Sequence, residues 1–388
     1  MGILHTSDWH VGKALRGRSR ATEHEAVLRE IAGIARHQAV DLVIVAGDLF
    51  DAATPSPEAE RIVYRGLLDL AEGGRPVIVV AGNHDSAQRL GAVAPLSQAS
   101  GIHVAAAVRP PDDGGVVDVA ADGERAQVAL LPFPSQRYVV TADLLLSGDA
   151  ADAHAAYADR VVRILGALTE RFRADTINLV VAHLMVMGGT MGGGERGAHT
   201  VFDYWVPATA FPASAQYVAL GHLHRRQQLA GPAPLHYCGS PLQLDFGETA
   251  NDPAVNLLDV HPGLPADVRA VALTAGQRLR TLRGTLADVV DGAGDAADDH
   301  LRVVLDEPAR PGLADVVRSL LPNTLEVVLA SPPDAGSVPT SDPDRMRRTP
   351  RDLLTEYLGE HDAHDERVVA LFDELADDLA ADVSEATR

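Results

Sequence analysis

The first half of the chain alternates short, almost unbroken apolar runs with segments of helical period. Ile3-Leu4-His5, residues 41–45 and residues 76–80 are the runs, and Ala21 to His37 and Pro57 to Ala71 are the periodic segments between them. In the first helix Val27, Ile31 and Ile34 share one side. In the second, Pro57 suits the first turn, where its missing N–H costs nothing. Val/Ile runs without polar alternation predict strands buried on both faces, and their alternation with helices predicts an α/β sheet. Strands near 102–104, 116–119 and 127–131 have no long helix between them and predict an antiparallel extension. A long helix over Asp152 to Phe172 follows, then strands at Thr176 to Ala182 and Tyr217 to Leu220. Short strands fill residues 235–273, including Val255 to Val260 and Val268 to Leu273.

A boundary is expected near Ala275-Gly276, giving a first domain over residues 1–275. Residues 276–330 carry a small α+β pattern: strand 279–282, helix 285–291, strand 300–305, helix 312–321 and strand 325–329. Residues 331–349, rich in Pro, Ser, Asp and Arg, read as a linker. Two amphipathic helices within 350–388 follow, broken near Gly359–Asp365. Their apolar set, from Leu353 and Leu354 to Leu375 and Leu379, is large for a detached tail. Such a face calls for cover, from a partner or from this chain's own core.

Apolar residues make up 46% and charged residues 22%, an ordinary globular balance with material for a sizeable core. No apolar run is long enough for a bilayer, no leader pattern opens the chain, and the one cysteine, Cys238, reads as a small buried residue. These features place the protein in the cytoplasm. The net charge of −21 argues against simple coating of nucleic acid. It is uneven, however: Lys13, Arg16, Arg18 and Arg20 crowd one stretch, either a solvated loop or a phosphate contact.

Five motifs stand where apolar runs end: Asp8-Trp9-His10, Gly47-Asp48, Gly82-Asn83-His84-Asp85, His183 and Gly221-His222-Leu223-His224. If the runs are strands of one sheet, all five reach one edge, where open α/β sheets bind ligands. Asp8 and His10, two apart in an extended segment, would aim the same way, as would His222 and His224. Carboxylate, amide oxygen and imidazole suit divalent metals such as Mn, Fe or Zn. Asp8, His10, Asp48, Asn83, His183, His222 and His224 are too many for one tetrahedral site and suit two metals sharing a carboxylate, the usual device for in-line phosphoryl displacement. His84 is left over as a catalytic acid or charge stabiliser. Asp85 is expected to cap the following helix. His5, His24, His103, His154 and His199 read as ordinary histidines. The glycine-rich Gly188 to Gly194 lacks a P-loop Lys and reads as a mobile loop.

In this order the motifs resemble the calcineurin-like metallophosphoesterases. Ile3 to Lys13, Gly47 to Asp51, Tyr217 to Arg225 and Tyr237 to Glu248 resemble the SbcD branch of bacterial nuclease subunits. The resemblance implies a sandwich of mixed β-sheets flanked by helices, a capping domain over 276–330, and terminal helices that grip the coiled coil of an SbcC-type ATPase. It implies a first metal on Asp8, His10, Asp48 and His224 and a second on Asp48, Asn83, His183 and His222. Asp48 would bridge, His84 would be catalytic and the metals would be Mn²⁺. Implied too are exonuclease action on duplex DNA, endonuclease action on single strands or hairpins in repair, recombination and replication, and a nuclease homodimer within a heterotetramer. Asp51 stands where archaeal and eukaryotic relatives carry His. The competing readings are a small-molecule phosphodiesterase or nucleotidase of the same superfamily, and a metal-poor binding scaffold.

Overall fold

The computed structural model describes residues 1–121, 123–135, 157–195, 205–296 and 298–330, with helical positions at 354–355, 358–359, 367–369 and 371. The chain divides into two compact units, Met1–Ala330 and Ser331–Arg388. The linker 331–349 and most of the terminal helices lie outside the described residues.

Two six-stranded sheets form the body of the first unit. In one, strands Gly2–Thr6, Leu42–Val45, Val77–Val80 and Ile102–Ala105 run parallel, and Ala254–Asp259 and Asp267–Ala272 add an antiparallel edge beside Gly2–Thr6. In the other, Glu124–Leu131, Ile177–His183, Tyr217–Gly221 and Leu235–Tyr237 run parallel. Val116–Ala121 and Gln227–Leu229 pair antiparallel at its two edges.

The period-two alternation of side chains sorts each apolar run between two cores. Ile3, Leu42, Ile44, Ile78 and Val80 point inward and meet Val128, Leu130, Leu179, Val181 and Ala219 of the opposing sheet. Leu4, Val43, Val45, Val77 and Val79 point outward under helices Ala21–His37 and Pro57–Leu70. On the far side Val180, Ala182, Val218 and Leu220 pack under helix Tyr157–Thr169. Four layers result, helix, sheet, sheet, helix, and strands in both sheets are buried on both faces as their composition requires.

Three expectations are corrected. The five motif-bearing strands belong to two sheets: Gly2–Thr6, Leu42–Val45 and Val77–Val80 to one, Ile177–His183 and Tyr217–Gly221 to the other. Residues 102–131 are not one antiparallel extension, since Ile102–Ala105 is a parallel edge strand and residues 116–131 form a hairpin of the second sheet. A helix, Ala87–Gln98, also precedes Ile102; its N-cap is Ser86, whose side chain accepts from the Arg89 N–H, so Asp85 is not the cap.

Beyond Gln277 a three-stranded parallel sheet, Leu279–Gly284, His300–Leu305 and Thr324–Leu329, carries helices Leu286–Gly292 and Leu313–Leu320. Val289, Leu301, Val303, Leu305, Leu313 and Val317 make its own core, and a Thr285/Asp288 capping box starts its first helix.

Candidate metal centre

The carboxyl ends of five strands, three from one sheet and two from the other, face one cleft across the seam of the sandwich. Asp8, His10, Asp48, His183, His222 and His224 are all buried there. The loops that deliver them are held in unusual backbone. Asp8, His10, Asp48 and His222 have φ of 53°, 46°, 51° and 101°. Non-glycine residues enter this left-handed region sparingly, and such strain concentrates at functional sites. Asp8 and His10 therefore do not share a direction through extended backbone, as their spacing suggests; tight left-handed turns aim them. Hydrogen bonds from Asp8 N–H to the Gly47 carbonyl (2.9 Å) and from His10 N–H to the Asp48 carbonyl (3.0 Å) lock the first two motifs together. Glycines 82 and 221 are forced by crowding: a Cβ on Gly82 would overlap the Asp48 carboxylate, and one on Gly221 the Ala46 carbonyl.

The donor atoms form two clusters joined at Asp48. His10 Nε2 lies 3.1 Å from His224 Nε2 and 3.5 Å from Asp48 Oδ2. On the other side His183 Nε2 lies 3.4 Å from the same Asp48 Oδ2 and 3.0 Å from Asn83 Oδ1. His222 Nδ1 is 2.7 Å from that Asn83 oxygen and 3.3 Å from His183 Nε2. Asp8, His10 and His224 form one group able to hold a metal ion, and Asp48, His183 and His222 another. His10, Asp48 and His84 form a third. The His84 ring, however, is tied at Nδ1 to the Asp51 carbonyl (2.8 Å) and stands edge-on to His10. Its backbone N–H holds Asp48 Oδ1 at 2.8 Å.

This donor set fits divalent metal. The Ala46 carbonyl takes Nδ1 of His183 (2.8 Å), and Glu248 Oε1 takes Nδ1 of His224 (2.7 Å). The Nε2 lone pair of His183 then faces Asp48 Oδ2 and Asn83 Oδ1, and that of His224 faces His10 Nε2; a cation among these donors would use both lone pairs. An added proton on each ring would use them too. Burial opposes charge on either ring, yet Asp48 and Asp8 raise His183 to about 9, and Glu248 and Asp8 raise His224 to about 9. Burial pushes His10 down to about 4, and His183, His10 and His84 hold Asp48 well below the usual carboxylate range against its own burial. Asp8 is shifted upward, chiefly by burial.

Several supporting residues carry no motif of their own. Ser7 Oγ donates to Asp8 and lies 3.0 Å from Cys238 Sγ. Phe133 stacks on His222, with centroids 6.0 Å apart and planes at 15°. The glycine-rich segment is tied in place: Gly192 and Gly193 N–H donate to the Glu195 carboxylate at 2.6 and 2.8 Å, and His224 N–H donates to it at 3.0 Å. Glu195 carries no sequence signal because it sits in a loop without periodicity; Glu248 ends the stretch Tyr237 to Glu248 that carries part of the SbcD resemblance, but nothing in the sequence links it to His224. Asp85 binds Gly82, Leu49 and Phe50 N–H groups and so knits two motif loops together. Asp51 lies 3.6 Å from His10 Nδ1 and 3.3 Å from Lys13 Nζ.

The basic stretch does not act as one surface. Arg20 is 1% exposed and donates to Glu23 and the Gln243 carbonyl, so it is corrected from DNA contact to buried framework. Arg16 pairs with Asp245 and Glu326 at 3.1 and 3.0 Å. Lys13 is partly exposed and Arg18 is exposed. His5 and His24 are buried and His103 is half-buried; His154 and His199 lie outside the described residues.

Residues 1–226 match the calcineurin-like phosphoesterase model. The chain belongs to this family. It also belongs to the SbcD branch within it. It is 37% identical to the SbcD component of nuclease SbcCD from Bacillus subtilis over 72% of this chain and 71% of that one. The corresponding component from Rhodobacter capsulatus is 37% identical over 68% and 67%, and that from Escherichia coli K12 31% over 74% and 72%. The family resemblance and the sandwich expected from it are borne out, and the chain is a hydrolytic nuclease of this branch. Among the described residues no helix is long and apolar enough to cross a membrane.

Proposed function

We propose that this chain cleaves DNA phosphodiester bonds at a centre of two divalent ions, as the nuclease component of an SbcCD-type complex in DNA repair and recombination. The observation that carries this reading is the shared position of Asp48 Oδ2, 3.5 Å from His10 Nε2 and 3.4 Å from His183 Nε2. Asp8, His10, Asp48 and His224 would hold one ion and Asp48, Asn83, His183 and His222 the other. Such a pair supplies a hydroxide nucleophile at neutral pH and offsets charge on the phosphoryl oxygens. The chain's own residues do the rest. Glu248 and the Ala46 carbonyl fix the ring faces of His224 and His183. The Asp51 carbonyl orients His84, which would place a proton or positive charge beside the leaving oxygen.

Manganese is the metal proposed. The α+β segment 276–330 is taken as the capping domain, and residues 350–388, beyond the linker 331–349, as the helices that bind an SbcC-type ATPase. A homodimer of this chain within a heterotetramer, working in the cytoplasm, completes the proposal. The deciding experiment assays the purified chain on linear duplex and hairpin DNA with Mn²⁺, with and without the ATPase and ATP. Asp48→Ala should lose both ions and all cleavage, whereas His84→Ala should keep both ions and lose cleavage. Two ions retained by the Asp48 variant would refute the bridging role.

A further inference from the structure

A carboxylate that is fully enclosed carries a large desolvation cost and is retained only where bonds to its ionised form offset that cost. Glu248 is such a group, 0% exposed and outside the five ligand motifs. Both its oxygens are committed: Oε1 to His224 Nδ1 at 2.7 Å, Oε2 to the Leu244 N–H at 2.7 Å. It sits at the end of the tight turn Phe246–Glu248, which Asp245 caps through the Gly247 N–H. A Cβ on Gly194 would overlap Glu248, so the glycine-rich loop closes over the same carboxylate.

The loop that carries Glu248 is tied at its other end to the three-stranded sheet. Gln243 is 2% exposed. Its Nε2 donates to the carbonyls of Glu248, Thr249 and Asn251 at 3.1, 3.1 and 2.9 Å. Its Oε1 accepts from the N–H of Leu279, the first residue of that sheet, at 2.7 Å. Arg20 donates to the Gln243 carbonyl and to Glu23, and Glu23 in turn accepts from His300 Nε2 (3.0 Å) and the Gln277 N–H (2.9 Å). Leu15, Phe246 and Leu279 pack together beside this chain of bonds, and Arg16 bridges Asp245 to Glu326 of the sheet.

We propose that Glu248 is a positioning residue for His224, and that the loop Ser240–Asn251 transmits displacements of the sheet 279–329 to that ligand. The proposal rests on the two-metal reading. Gln243 is the joint: one amide holds the turn of Glu248 with its nitrogen and the sheet with its oxygen. A shift of Leu279 relative to the body pulls on the backbone that presents Glu248, and the His224 ring follows its only carboxylate bond at Nδ1 among the described residues. Contiguous hydrogen-bonded elements of this kind carry coupling between sites, and carboxylate partners of metal-bound histidine set ligand affinity.

The test is Mn²⁺ binding by calorimetry on the full chain, with no DNA present. Wild type should bind two ions; a chain that binds none overturns the metal reading itself and is thereby distinguished from failure of this proposal. Glu248→Gln, which keeps the shape but can satisfy only one of its two donors, should weaken one of the two sites by ~10–100-fold and leave the other within about twofold. Gln243→Ala should weaken that same site by on the order of tenfold, although it touches no ligand. Unchanged affinities in Glu248→Gln, or equal weakening of both sites, overturn the positioning role. A site unaffected by Gln243→Ala overturns the transmission through the loop.

Discussion

Loading the centre with Mn²⁺ should expel about two protons per chain at neutral pH, because metal binding requires deprotonated ligands. Burial works against the charge on His183 and His224, but Asp48 and Asp8 at the first and Glu248 and Asp8 at the second raise each to about 9. At pH 7.5 each ring therefore carries roughly 0.97 of a proton. His10, pushed down to about 4 by burial, has none to lose. Affinity should then climb ~10-fold per pH unit at each site, about 1.4 kcal/mol, and ~100-fold for the pair of ions together, until the two rings titrate. Calorimetric titration in buffers of equal pH and different ionisation enthalpy counts the protons directly. A count near zero at pH 7.5, or equal affinity at pH 7 and pH 8, would refute the reasoning. Glu248→Gln removes the largest charge support of His224 and should bring the count toward one. Stability of the metal-free chain gives a second reading. Both folded values lie above the unfolded 6.5, so this stabilisation is complete below pH 6.5 and is lost as pH rises through about 9. The chelated chain should melt at falling temperature between those values, and the loaded chain should not.

Gly82→Ala, whose methyl would overlap Asp48, should cost about 1–3 kcal/mol in urea unfolding and weaken both metal sites; wild-type stability and affinity would contradict the crowding. Arg20→Ala should destabilise the fold by about 1–3 kcal/mol in urea unfolding by leaving the Gln243 carbonyl without its donor and Glu23 with only His300 and the Gln277 N–H. Arg16→Ala with Arg18→Ala should instead spare the fold and flatten the salt dependence of DNA binding, and an unchanged slope in a filter-binding titration would remove them from the interface. His24 is lowered to about 3, chiefly by burial, so its stabilisation is present above pH 6.5 and is lost as pH falls. His24→Gln should therefore shrink the stability difference between pH 8 and pH 5 by about 2 kcal/mol relative to wild type, and an unaltered difference in urea titrations at the two pH values would show that His24 is not held neutral.

The elements were legible because strands such as 42–45 and 77–80 are Val/Ile runs and helices such as Ala21–His37 have clean period. Which sheet each strand joins was not legible. Period two assigns Ile44 and Val45 to opposite faces, but one sheet with helices on both sides and two sheets back to back produce the same alternation. Only pairing partners separate them, and pairing leaves no local mark. The same limit hid Arg20: four basic residues in one stretch read alike until Glu23, a turn into the helix, folds one of them inward. At the centre, by contrast, residue types picked out the seven side chains that the structure brings together beside His84, and what they concealed was the division of the cleft between two sheets. Asp8, His10, Asp48 and Asn83 follow strands of one sheet, while His183, His222 and His224 end or follow strands of the other. Each proposed ion would thus take ligands from both sheets, with Asp48 common to the two. Neither sheet alone offers a complete proposed set, so a separation of the sheets would empty both positions at once. Metal binding and closure of the inner core of Ile3, Ile44, Ile78, Leu179 and Val181 would for that reason be one linked equilibrium, in which free metal would stabilise the sandwich by mass action and loss of inner packing would weaken both sites together.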